Sequence, residues 1–151
     1  MPALKKIGYT NTFSQLNMAS YKHNETNDCT VKALAIVSGK TYDEAHRALA
    51  AAGRKPREGA YFSEQVKALL ALGKTLKPVN KHEILATFPK NRKGKTRTNM
   101  TTHHPRRFNK LWPKGTFLLY TDRHVSAVVD GVMHDWAANT SRRVLCMYEV
   151  F

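Results

Sequence analysis

Three residues of this chain, Cys29, His124 and Asp135, have the types and local settings that nucleophilic catalysis requires. From Cys29 the apolar positions Val31, Leu34, Ala35 and Val37 follow helical spacing, and Gly39 supplies a stop. The spacing places the thiol where a helix begins. Free amides at such a point stabilise an anion and lower a cysteine pKa. His124 belongs to HVSAVVDGVMHDW at 124–136, two β-branched runs separated by Asp130-Gly131. That pair signals a type I′ hairpin turn. With Asp130 and Gly131 as the turn, Val129 opposes Val132, Val128 opposes Met133, and Ser126 opposes Asp135. His124 and Asp135 then share a face as diagonal neighbours, at a Cα separation of roughly 7–8 Å that long or planar side chains can bridge. His134 and Trp136 point the other way. A thiol at a helix start, an imidazole and a carboxylate able to orient it make a Cys-His-Asp triad in chain order. Taken singly, a helical cysteine is most often a small buried apolar residue and a hairpin histidine is usually structural. The conjunction is what points to chemistry.

These positions must be held by a larger frame. Residues 1–26 mix Lys, Thr, Asn and Ser with isolated apolar positions and no clear period, which reads as an N-terminal arm. After the helix that Cys29 opens, Thr41 and Glu44 have capping-box spacing for a second helix reaching about Ala52. Gly53 ends it, a basic turn RKPREG follows, and Ser63 is the expected cap of a third helix ending before Gly73. From Ile84 to Thr121 there is no acidic residue and there are nine Lys or Arg. Within that stretch, residues 90–107 read as an exposed basic loop. Thr101 or Thr102 starts a short helix through Phe108 and Leu111, and Pro113 to Gly115 turns the chain into a strand over 116–120. The hairpin follows, and an alternating run from Val144 to Phe151 adds a last strand.

The chain has 151 residues, 42% of them hydrophobic, enough for one packed domain over 1–151. Its formal charge of +14 exceeds what solubility calls for and points to an anionic partner. Two cysteines, Cys29 and Cys146, cannot form a disulfide framework, which favours a reducing compartment. No run of eighteen apolar residues occurs and the first twenty residues hold no signal-peptide pattern, so the expectation is a cytoplasmic protein with no membrane contact.

The segments NDCTVKALAIVSG at 27–39 and GTFLLYTDRHVSAVVDGVMHDW at 115–136 resemble the papain-like cysteine peptidase superfamily, in particular its small bacterial and tailed-phage members. The resemblance implies an α+β fold with N-terminal helices, the nucleophile at a helix start, packed on a small antiparallel β-sheet. It implies that Cys29 is the nucleophile, His124 the general base and acid, and Asp135 the orienting carboxylate, with no cofactor. If the gene is phage-borne, the place of action is the bacterial host cytoplasm. The superfamily often has an oxyanion-stabilising Gln several residues before the cysteine; here His23 stands at that offset, with Asn24 and Asn27 as the nearby oxyanion candidates. The backbone amide of Cys29 together with an Asn side chain would then form the hole, since a lost side-chain donor costs roughly 2.7–4 kcal/mol of transition-state stabilisation. The NlpC/P60 branch shares the Asp-Cys step and usually has a second His as third residue, which would favour His134. The hairpin register favours Asp135 instead.

Other residues read more plainly. His103 and His104 lack spaced partner ligands, so no metal site is expected. Cys146 is expected to be a buried spectator, Asp28 to cap the helix that Cys29 opens, and Trp112 and Trp136 to pack. Two function classes follow. One is a hydrolase (peptidase, isopeptidase or amidase) acting on a protein or peptide through an acyl-enzyme, with a transferase passing the acyl group to an amine as its variant. The other is a catalytically silent use of the same fold, a basic protein contacting nucleic acid or another polyanion through Arg92, Lys93, Lys95, Arg97, Arg106 and Arg107. No aromatic residue interleaves the basic run until Phe108, so contact there would be to backbone phosphate.

Overall fold

The structure, a computed structural model, describes residues 9–10, 15–80, 82, 90, 92–95, 114–134 and 143–151. Helices precede the main body of a sheet, an α+β arrangement. Strand β1 (Tyr9–Thr10) comes first, followed by α1 (Asn17–Lys22), α2 (Cys29–Ser38), α3 (Tyr42–Ala51) and α4 (Phe62–Ala71). Then come β2 (Leu76–Val79), β3 (Thr116–Thr121), β4 (His124–Val129), β5 (Val132–His134) and β6 (Cys146–Val150). The sheet order is β1-β5-β4-β3-β6-β2; β1 is parallel to β5 and every other neighbouring pair is antiparallel.

Helix α2 is buried almost all round, with Val31, Ala33, Leu34, Ala35 and Val37 in the core. It lies between the sheet, where it packs on β4, and the helices α3 and α4. Gly39 ends it in the left-handed conformation (φ 66°), which glycine adopts without a Cβ clash. Helix α3 starts with the reciprocal capping box expected: the Glu44 amide donates to Thr41 Oγ1 and the Thr41 amide donates back to Glu44 Oε2. Leu118, Val125, Ala127 and Val150 supply the sheet side of the core under α2. On the other face Leu119, Ser126, Val128, Met133 and Met147 are buried as well.

The β4–β5 hairpin has the register derived from its turn. Val129 pairs with Val132, Val128 with Met133 and Ala127 with His134. Asp130 (φ 49°) and Gly131 (φ 78°) are both left-handed, as a type I′ turn requires.

Several expectations need correction. The segment 1–26 is not a featureless arm: it contributes β1 to the sheet edge and α1 to the helical layer. A two-residue strand and a six-residue helix burying chiefly Ser20 are too short to leave a period. Ser63 does not cap α4; it lies inside the first turn, and Glu64 reaches back to the Tyr61 amide at 2.8 Å. Strand β2 was unforeseen, since Pro78 breaks a strand pattern; it is tolerated because β2 is an edge strand. The final strand is shorter than the run from Val144 to Phe151, beginning only at Cys146. Of the expected basic loop 90–107, Lys90 and Arg92 to Lys95 are described and are exposed, with 92–94 in a turn and bend. The short helix expected from Thr101 to Leu111 falls outside the described residues, as do His103, His104, Trp112 and Trp136.

Candidate active site

Cys29 is the first residue of α2, the helix the core fixes on every side, so its sulfur has little freedom. His124 is the first residue of β4, set directly after the tight turn Asp122-Arg123, in which Arg123 is left-handed (φ 55°). Packing of α2 on β4 brings the two together. The thiol receives hydrogen bonds from the His124 ring and the Val125 main-chain amide. Burial by itself would push the thiol pKa up; those hydrogen bonds and the favourable field of His124 outweigh it and hold the thiol below the ordinary cysteine value. Thiol and imidazole are therefore paired, and the imidazole is buried (7% exposed).

Both residues line a cavity of about 620 Å³. One wall is aromatic. Phe62 lies against Tyr148 with ring centroids 4.9 Å apart, and Tyr120 meets both edge-on at 6.1 and 5.7 Å. Behind them the buried Gln65 is fixed at both ends of its amide: Nε2 donates to the Ala60 carbonyl at 3.0 Å and Oε1 accepts from the Tyr120 hydroxyl at 2.5 Å. Gln65 was not legible as a site residue, because in the sequence it is one polar position on a helix like any other. Burial raises the Tyr120 phenol strongly, and the neighbouring Cys146, Tyr148 and Cys29 add to it, so Tyr120 is a neutral hydroxyl at the cavity wall.

Cys146 is not the buried spectator expected. It is exposed and lines the same cavity. The reason is its place in the sheet: it opens β6 opposite Tyr120, which in turn pairs with Val125, so Cys146 is on the helix-side face with these two but at the strand end, where that face lines the cavity.

The two oxyanion candidates separate. Asn27 lines the cavity, in a left-handed conformation (φ 51°), and one hydrogen of its amide goes to the Arg57 carbonyl at 3.2 Å. Asn24 is not among the lining residues, and its carbonyl accepts from Arg57. Asp28 occupies the N-cap position of α2 but makes no capping hydrogen bond with its side chain, contrary to the role expected of it. His134 pairs with Ala127 and so projects from the face opposite to His124; burial lowers its pKa and keeps it neutral. Asp135, Arg97, Arg106 and Arg107 lie outside the described residues. Among the described residues no group of three or more His, Cys, Asp and Glu is arranged to hold a metal ion, and no helix is long and apolar enough to cross a membrane.

The loop carrying Asn24, Asn27 and Asp28 toward Cys29 is itself anchored. Glu25 turns inward with no side-chain exposure and accepts from Arg54 Nη1 (2.6 Å), the Arg57 amide (2.6 Å) and His46 Nε2 (2.9 Å). These contacts outweigh the cost of burying the carboxylate and hold its pKa below the ordinary value. His46 stacks on His23 at 4.2 Å, and His23 bonds Asp43 at 2.7 Å. Compared with family models, with curated proteins and with solved structures, the chain matches none of them.

Proposed function

We propose that this chain is a papain-like thiol hydrolase that cuts an amide, peptide or isopeptide bond of a protein or peptide through an acyl-enzyme. The observation that carries the reading is the pairing of a helix-start thiol with a buried imidazole at the wall of a cavity large enough for a side chain. In this reading Cys29 Sγ attacks the carbonyl carbon while His124 holds the thiol proton and passes it to the leaving amine. Water, activated by the same imidazole, then attacks the thioester and releases the acid. In this reading Asp135 orients the ring, the Asp130-Gly131 turn assigning it by sequence to the position opposite Ser126 and so in phase with His124. The amide of Cys29 is the first donor to the oxyanion, with Asn27 rather than Asn24 as the side chain close enough to assist. Passing the acyl group to an amine instead of water is the transferase variant of the same steps.

An activated ester tests the reading without knowledge of the natural substrate. p-Nitrophenyl acetate should give a burst of one nitrophenolate per chain and leave one acetyl group on Cys29, located by peptide mass spectrometry. Cys29→Ala should abolish the burst and His124→Ala should slow it by roughly 10²–10⁴-fold. Acetylation of Cys146 alone, or no burst, would overturn it.

The silent alternative, a basic protein that contacts nucleic acid, draws on a different observation: Arg92, Lys93 and Lys95 are exposed within four consecutive residues. The two readings are compatible in one molecule.

A further inference from the structure

Aspartate at a helix N-cap ordinarily turns its carboxylate onto the free amides of the first turn. Asp28 stands at that position of α2 and does otherwise. Its carboxylate is drawn away by α1, by α3 and by a lysine one turn further along α2 itself. The Tyr42 hydroxyl of α3 donates to Oδ2 at 2.7 Å, and the Lys32 ammonium lies 3.6 Å from Oδ1. Ser20 of α1 bonds the same carboxylate. Lys32 is fixed in turn by Asn17 Oδ1 at 2.9 Å. Asp28, Tyr42, Lys32 and Ser20 are all more than nine-tenths buried.

The consequence falls on the neighbouring residue. Swung onto the helix end, the carboxylate would occupy the amides that stabilise a thiolate and would put a second negative charge beside it. We propose that Tyr42 and Lys32 are positioning residues that hold the Asp28 carboxylate off the first-turn amides of α2, leaving those amides to the Cys29 thiolate and to the oxyanion of the substrate. The role rests on the assignment of Cys29 as nucleophile. The titratable and charged groups placed around the thiol are His124 of β4, Arg123 of the preceding turn, Tyr120 of β3 and Cys146 of β6 at the cavity, and Asp28 and Lys32 beside and within α2. Of these, Asp28 is the one the Tyr42 hydroxyl holds.

The test is the pH profile of Cys29 alkylation by iodoacetamide, read by mass spectrometry in wild type, Tyr42→Phe, Lys32→Gln and Tyr42→Phe/Asp28→Ala. Tyr42→Phe keeps the ring and removes only the hydroxyl. It should move the acid limb up by about one unit, slowing alkylation near pH 6 about tenfold. Lys32→Gln, which keeps a donor for Asn17, should move it in the same direction and serves where Tyr42→Phe does not fold. The double variant, with no carboxylate to swing, should return to the wild-type limb or below it. A clamp that only stabilises the fold would lower the melting temperature and leave the limb unmoved. An unmoved limb in the folded single variants, or a double variant that stays displaced, overturns the positioning role. A wild-type Cys29 with an ordinary thiol profile instead overturns the nucleophile assignment and the positioning role with it.

Discussion

Two thiols share one cavity, and their surroundings differ in the respect that decides reactivity. Cys29 has an imidazole and an amide aimed at its sulfur, which hold it below the ordinary value of 9.0, whereas Cys146 is more accessible but stands beside the phenols of Tyr120 and Tyr148. Alkylation by iodoacetamide needs both access and thiolate. A limiting pulse near pH 6, below the ordinary thiol range, should therefore modify Cys29 first, and raising the pH toward 9 should bring in Cys146. Peptide mapping of the two adducts against pH checks this, and preferential modification of Cys146 at pH 6 would remove the basis for the pair. Exposure alone predicts the reverse order, so the measurement separates access from activation. The same contrast explains what could be read at this scale beforehand. Cys29 was recognisable because a helix start is written locally, in the spacing of Val31, Leu34 and Gly39. Cys146 was misplaced because its exposure depends on where α2 stops covering the sheet, a tertiary fact. Asp28 was misplaced for the same reason: Asp before a helix reads as a cap, and only the approach of Tyr42 from another helix gives its carboxylate a better partner.

Two elements deliver the pair: the loop into α2 and the β4–β5 hairpin. The loop depends on Glu25, whose carboxylate is fully buried among Arg54, the Arg57 amide and His46. Removing one partner of a buried ion pair leaves the other charge uncompensated, typically at about 3–5 kcal/mol. Glu25→Ala should lose stability on that scale in urea titration, since Arg54 already has Nε and Nη2 without hydrogen-bond partners. The folded carboxyl pKa lies below its ordinary value of 4.5, so this contribution is complete above about that pH and is lost as the pH falls through the folded value. Wild type should accordingly lose more stability than Glu25→Gln on acidification below pH 4.5; equal losses would mean that the carboxylate is not the anchor. In the hairpin, the turn fixes the register and the register fixes which side chains accompany His124. Asp135→Asn should keep the fold and slow turnover of the activated ester, by up to about 10⁴-fold, through the wrong imidazole tautomer. His134→Ala, on the opposite face, should change the rate little. Reversed effects at unchanged stability would favour His134 as the third residue. The hairpin was legible because Asp-Gly between β-branched runs specifies a turn without outside help. β1 and α1 were not, being short pieces that exist only against β5 and the other helices.

On the scale of the whole molecule the dominant property is charge. A formal +14 spread over 151 residues, with nine basic and no acidic residues from 84 to 121, is a charge balance that would favour polyanions whether or not the chain is an enzyme. An enzyme whose substrate is acidic or bound to nucleic acid gains on-rate from such a field, and a silent binding protein would use it as its only device. Electrostatic contact with phosphates leaves a signature that distinguishes it from groove reading: each phosphate neutralised releases counterions, so log affinity falls with log salt at a slope of roughly 0.9 per contact on duplex DNA. The expected outcome is weak binding without sequence preference, retarding duplexes of unrelated sequence alike at low salt. Replacing Arg92, Lys93, Lys95 and Arg97 by Ser should flatten the slope by the number of contacts removed, while Cys29→Ala should leave it unchanged because the substitution removes no positive charge. Retardation that persists unaltered in the fourfold variant would place the contact elsewhere on the basic surface. No retardation of either duplex or single strands at low salt would remove nucleic acid as the partner, and the charge would then serve another anionic partner or only solubility.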